Sequence, residues 1–210
     1  MVQEKVLVDV EAVQLETTKR KQIGLLGGNF NPIHYTHLIM ADQVGQALGL
    51  DRVDLMPEYL PPHVDTKTTI PAKHRLKMLE LAIQDNDLLG IETCELERKG
   101  KSFTFETMQA LTQKYPDTDY YFIIGGDMVD YLPKWHKIEE LLQLVTFVGI
   151  KRPEFPVVSP YPILWVDAPV SDVSSSMIRN KINQGCSVNY LLPKAVQEYI
   201  FNEGLYLGEV

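Results

Sequence analysis

Apolar residues in this chain come in short dense runs separated by longer amphipathic stretches. The run Ile23-Gly24-Leu25-Leu26-Gly27-Gly28 is apolar and closes on glycines, the pattern of a strand buried on both faces. Over 37–49, Met40, Ala41, Val44, Ala47 and Leu48 recur at helical spacing, and Gly49 is placed to end the helix. Residues 52–56 predict a second strand, followed by a proline-rich turn over 56–63. A helix over 71–84 carries Leu76, Leu79, Ala82 and Ile83 on one face. A third strand is expected over 88–96 and a helix over 103–114, with Ser102 as its candidate cap. Tyr120-Tyr121-Phe122-Ile123-Ile124 followed by Gly125-Gly126 is the plainest strand signal. After it come a short helix over 138–143, strands over 144–150 and 163–166, and two closing helices over 175–183 and 193–201.

Strands alternating with helices predict an α/β fold: a Rossmann-like, doubly wound parallel sheet with helices on both faces. The 210 residues suit one domain, read as 21–210. Residues 1–20 read as an N-terminal extension, mobile or docked on a partner. Val6, Val8 and Val10 alternate as a short strand would. The segment 151–162 holds Pro153, Pro156, Pro160 and Pro162 and reads as a long loop, because the alternation resumes after it.

Charge narrows the functional classes. The net charge is −8, which argues against a general nucleic-acid or anionic-membrane binder, so an anionic substrate must be met by local positive features. The only cysteines, Cys94 and Cys186, have no metal-ligand spacing, which excludes a disulfide scaffold. No apolar run approaches the ~20 residues of a membrane span, and no signal-peptide core is evident at the start. The expected location is the cytoplasm.

Two segments carry candidate chemistry. Gly27-Gly28-Asn29-Phe30-Asn31-Pro32-Ile33-His34-Tyr35-Thr36-His37 lies where the first strand meets the first helix. Ligands of open α/β sheets bind at such strand ends, and a helix start offers free N–H groups to a phosphate. His34 and His37 could donate to one phosphoryl group. They could equally be capping or surface histidines, and zinc lacks an evident third ligand. Gly24, Gly27 and Gly28 have the wrong spacing for a dinucleotide fingerprint. Gly100-Lys101-Ser102 lacks the preceding glycine of a P-loop, since Glu95 stands there. The second segment, Val173-Ser174-Ser175-Ser176-Met177-Ile178-Arg179, is either a plain helix cap with a solvated arginine or a phosphate-binding helix start clamped by Arg179. Arg75 reads as a phosphate contact or a helix-surface ion pair. His63 and His74 read as surface or structural residues.

Together the two segments resemble the signatures of the nucleotidylyltransferase superfamily. Within it, the chain closely resembles the bacterial nicotinate-nucleotide adenylyltransferases, whose opening G-G-x-F-[DN]-P-x-H-x-[GA]-H is matched over 27–37 except at Thr36. Further matches follow in order: Leu60-Pro61-Pro62-His63, Arg75-Leu76-Lys77-Met78-Leu79, Ser102-Phe103-Thr104-Phe105-Glu106-Thr107, Gly125-Gly126-Asp127 and Leu132-Pro133-Lys134-Trp135. The resemblance covers roughly 21–207. The chain departs from the pattern at Thr36, at Val64 where a lysine is frequent, and at His136 where an aromatic is common.

The resemblance implies adenylyl transfer from ATP to nicotinate mononucleotide, giving nicotinate adenine dinucleotide and pyrophosphate, with Mg²⁺ accompanying ATP and no metal held by the protein itself. It implies that His34, His37 and Arg179 supply positive field to the phosphates. Gly27, Gly28, Asn29, Phe30, Gly125, Asp127, Ser175 and Ser176 would bind ATP; Ser102, Thr104, Trp135 and His136 would bind the nicotinate nucleotide. A homo-oligomer is compatible with it, and no nucleic acid or membrane is involved. Two alternatives stay open: a sibling that adenylylates phosphopantetheine, and a non-catalytic nucleotide-binding protein on the same fold.

Overall fold

The run at 23–28 sits at the centre of a six-stranded sheet. In the computed structural model, which describes residues 20–60, 69–101, 103–151, 158–169 and 171–208, it forms β1 (Lys21–Gly28). The remaining strands are β2 (Arg52–Pro57), β3 (Leu89–Ile91), β4 (Thr118–Gly125), β5 (Thr146–Ile150) and β6 (Ile163–Val166), in the order β3-β2-β1-β4-β5-β6. Every pairing is parallel. Each connection therefore crosses a face of the sheet, and most carry a helix: α1 (Tyr35–Leu48), α2 (Ala72–Ile83), α3 (Cys94–Arg98), α4 (Thr104–Lys114), α5 (Gly126–Val129), α6 (Ile138–Leu141), α7 (Ser175–Asn183) and α8 (Lys194–Asn202).

Two apolar layers follow from side-chain alternation along the strands. Leu26, Leu55, Ile123 and Val148 face α1, α2, α7 and α8, while Leu25, Met56, Phe122 and Phe147 face α4 and α6. Helix α1 lies close against β2 at Gly45, where a Cβ would come within 2.9 Å of the Val53 and Leu88 side chains. The strand order reverses between β1 and β4. That reversal leaves a crevice beyond their carboxyl ends, where open α/β sheets bind ligands.

The expected elements are present with shifts of a few residues, apart from one. The strand expected over 88–96 stops at Ile91. The Glu92 carboxylate accepts the Cys94 N–H at 2.8 Å and starts α3 there, so Cys94 and Leu96 belong to a helix. On α2 the buried residues are Arg75, Met78 and Leu79, in place of the face centred on Leu76. The expectations for 1–19, for the matched segment over 61–63, for Ser102 as a cap and for the loop at 152–157 lie outside the described residues. Cys94 and Cys186 are free thiols, and no helix among the described residues is long and apolar enough to cross a membrane.

Candidate active site

A cavity of about 870 Å³ opens in that crevice. Its floor is the end of β1 and β4, with Leu26, Gly27, Phe122, Ile123, Ile124 and Gly125 in its lining. The loop from Gly28 to Ile33 forms one rim. Phe30 holds a left-handed backbone, φ +47°, which is strained for a bulky residue, and its ring fills the space where a side chain at Gly28 would stand. The same ring meets His37 edge-on, centroids 5.1 Å apart.

His34 caps α1 in an extended conformation and is buried, while His37, one turn on, is half-buried and lines the cavity. Their rings stack with centroids 3.7 Å apart. The His34 backbone N–H donates to His37 Nδ1 at 3.3 Å. With Nδ1 an acceptor, the His37 proton sits on Nε2, which leaves that atom as a donor. Thr36, the departure from the family motif, is buried and hydrogen bonds the Ser171 hydroxyl at 2.8 Å, tying α1 to the segment before α7.

Helix α7 closes the same rim. Ser174 caps it, its hydroxyl accepting the Met177 N–H at 3.2 Å. Ser175 donates to the Pro32 carbonyl at 2.8 Å. Arg179 donates through Nη1 to the Asn31 carbonyl at 2.7 Å and through Nη2 to the Ser176 hydroxyl at 3.2 Å. Arg179 is therefore more than a free surface arginine beside a plain cap: half-buried, it bridges to the first loop. Ser174 and Ser175 line the cavity; Ser176 is exposed and bound to Arg179.

At the opposite end stand Phe103, Thr104, Lys134, Trp135 and His136. Trp135 is held edge-on by Phe122 and Phe147, each at 5.8 Å between centroids, which leaves a face of the indole for the cavity. Thr104 begins α4, whose first N–H groups have no intrahelical acceptor. His136 pairs with Glu106 at 3.2 Å.

Electrostatics correct one expectation. Burial pushes the His34 imidazole down to about 4. It also pushes His37 well below its ordinary value, and His34 beside it adds to that effect. Both rings are neutral at pH 7 without an anion beside them. They present N–H dipoles, and Arg179 contributes a fixed positive charge behind this rim. A phosphate placed against the rings would favour their protonated forms.

Glu58, at the carboxyl end of β2, also lines the cavity. Burial lifts its carboxyl to about 7, neighbouring Glu95 adds to the rise, and Arg75 opposes it. Between its ordinary value and 7 the folded protein holds a proton that the unfolded chain has lost, so this group's contribution to stability declines as pH rises through that window. His34 works in reverse: the unfolded chain takes up its proton first, and stability declines as pH falls from 6.5 toward 4. The Glu58→Gln variant therefore gains Tm relative to the parent as pH is raised from 5 to 8. Paired thermal melts at the two pH values check this, and an unchanged difference would return Glu58 to an ordinary carboxyl.

The structure brings His34, His37, Gly27, Gly125, Ser175, Thr104, Trp135 and His136 to one cavity. Gly28, Asn29, Phe30, Arg179 and Ser176 form the rim behind it. Phe30 is buried as a wedge, and the Asn29 amide donates to Thr69 at 3.1 Å. Ser102 and the Asp127 side chain lie outside the described residues. Arg75 is neither a phosphate contact nor a surface ion pair. It is 1% exposed and donates to the Asn29 carbonyl at 2.9 Å. His74 bonds the Tyr199 hydroxyl at 2.8 Å and is structural. Glu58, Ser171 and Asp172 escaped the sequence reading; the usable signal for Glu58 was its place just past a parallel strand's carboxyl end.

The cytidylyltransferase-like family model matches residues 25–181. A probable nicotinate-nucleotide adenylyltransferase of Enterococcus faecalis is 62% identical over 98% of this chain and 93% of its own length. One of Streptococcus pneumoniae serotype 4 is 63% identical over 92% of each. In fold, the chain resembles the Plasmodium falciparum nicotinic acid mononucleotide adenylyltransferase. The structure complexed with APC has a TM-score of 0.73 at 18% identity, covering 89% of this chain and 97% of that one. The structure complexed with NaAD superposes equally well, at 19% identity.

Proposed function

The chain belongs to the nicotinate-nucleotide adenylyltransferases within the cytidylyltransferase-like family, and we propose how its pocket carries out their reaction, transfer of the adenylyl group of ATP to nicotinate mononucleotide. The observation that carries the reading is the polarity of the cavity. Imidazole N–H donors and the start of α7 stand at one end, and an indole face beside the start of α4 stands at the other. That suits two nucleotides laid with their phosphates together.

A phosphate oxygen of nicotinate mononucleotide attacks the α-phosphorus of ATP. The bond from that phosphorus to the bridging oxygen breaks, and pyrophosphate leaves with the electron pair. The nucleophile is already anionic at neutral pH, so no general base is required. The protein's contribution is alignment and donors fixed in advance for the charge that develops. His37 Nε2 and His34 face the α-phosphate. Ser174 and Ser175 at the start of α7, with Arg179, take the departing pyrophosphate. Gly125 ends β4 where backbone reaches the ribose and adenine.

Mg²⁺ enters with ATP. Asp172, beside Ser174 in the lining, suits one ligand position. The ion would neutralise charge on the leaving pyrophosphate. Two free cysteines accord with residence in the reducing cytoplasm. The test is pyrophosphate release from ATP: turnover is expected with nicotinate mononucleotide and none with phosphopantetheine, and the opposite preference would replace this reading with the sibling activity.

A further inference from the structure

The phosphate-side loop is held from behind by residues that never line the cavity. Arg75, from α2, donates to the Asn29 carbonyl at 2.9 Å. Tyr206, past α8, donates its hydroxyl to Asn31 Oδ1 at 2.8 Å. Between these two anchors lies Phe30 in its left-handed conformation. A trans peptide sets its C=O and N–H on opposite sides. Fixing the Asn29 carbonyl on Arg75 therefore turns the Phe30 N–H the other way, and the same bond opposes relaxation of the strained φ.

Burial makes the arrangement specific. Arg75 is 1% exposed and Tyr206 3% exposed. A guanidinium taken out of water is costly unless its donors are used. Here one donor holds the loop and Nε has no hydrogen-bond partner among the described residues. Leucine or methionine could be buried at this position without that cost. Burial pushes the Arg75 guanidinium below its ordinary value, and Glu58, which reaches the cavity from β2, is the largest influence in the opposite direction.

We propose that Arg75 and Tyr206 are positioning residues for adenylyl transfer: they fix the Asn29 carbonyl and the Asn31 side chain so that Phe30, between them, stays wedged under Gly28 and against the His37 ring. The inference rests on the reaction assigned above. Neither residue touches substrate. Their loss should misplace the phosphoryl donors while leaving the nicotinate end, formed by Trp135 and Thr104, as it is.

Steady-state kinetics on the full chain, below the Tm of every variant, tests this. Arg75→Met should lower kcat about 10- to 10²-fold, the range a displacement near 1 Å can produce, with the KM for nicotinate mononucleotide within about threefold. Arg75→Lys, which retains a donor, should recover part of the loss. Tyr206→Phe removes one hydroxyl and no charge and should lower kcat several-fold, again without a matching change in KM. Should Arg75→Met fail to fold, Tyr206→Phe and Arg75→Lys decide. Folded variants with parental kcat, or a rise in KM at unchanged kcat, would overturn the inference. If the parent itself fails to turn over nicotinate mononucleotide, the assigned reaction falls instead.

Discussion

Replacing His37 by alanine lowers turnover by about 10²–10³-fold, the usual cost of one donor aimed at developing charge. The KM for nicotinate mononucleotide changes little by comparison. The ring is locked on three sides: it stacks on His34, meets the Phe30 edge and accepts the His34 backbone N–H. What remains is Nε2–H, a donor with a fixed direction in a poorly solvated site. Such a donor needs no reorganisation as charge builds on the α-phosphate, which makes its effect larger in the transition state than in the ground state. His37→Gln retains an N–H on a flexible stem and should fall between parent and alanine. Near-parental turnover in His37→Ala would remove the residue from the reaction.

Nicotinate mononucleotide is expected to exceed nicotinamide mononucleotide by at least ~10²-fold in kcat/KM, because sites that match donors to acceptors discriminate far more strongly than sites that match volume. A carboxylate only accepts. The start of α4 offers it unpaired N–H groups and the positive end of a helix dipole, with the Thr104 hydroxyl beside them and Lys134 in the lining. The amide would set its own N–H groups against those donors. One acidic group does stand near: Glu106, in the first turn of α4. Its Oε1 is engaged by His136 at 3.2 Å, which offsets its repulsion of the substrate carboxylate. His136→Phe should release that charge and reduce the preference. Side-by-side kinetics at one ATP and Mg²⁺ concentration measure both. Equal efficiencies in the parent would leave Trp135 as a stacking surface with no reading of the acid.

Period and punctuation made the strands and long helices readable, because burial on both faces demands continuous apolar runs and one-sided burial demands helical spacing. The run at 88–96 misled for the same reason. Ile91, Cys94 and Leu96 are apolar under either period, and a single carboxylate on the Cys94 N–H decides for helix. In the site, His34, His37, Ser175 and Trp135 stood out by residue type and place. Phe30 was legible as part of a loop but not as a wedge, since nothing local announces a left-handed phenylalanine. The partners of Arg75 and Arg179 on the first loop are backbone carbonyls, which carry no residue identity and leave no mark in one sequence. Glu58 is set apart only by depth and by its neighbours Glu95 and Arg75, which come from other elements.

The loop at 29–32 is fastened by residues that the ribosome delivers very late. Ser175 reaches back 143 positions, Arg179 reaches 148 and Tyr206 reaches 175. At ~5–20 residues per second, roughly 10–35 s separate synthesis of Asn31 from that of Tyr206. Throughout that interval β1, α1 and β2 can assemble next to one another, since their pairing is short in sequence, but the phosphate-side rim lacks α7 and its final anchor. A growing chain thus acquires a folded half-sheet well before it acquires a nucleotide site. Competence to handle ATP waits on α7 and Tyr206, which fasten a loop made 143 to 175 residues earlier.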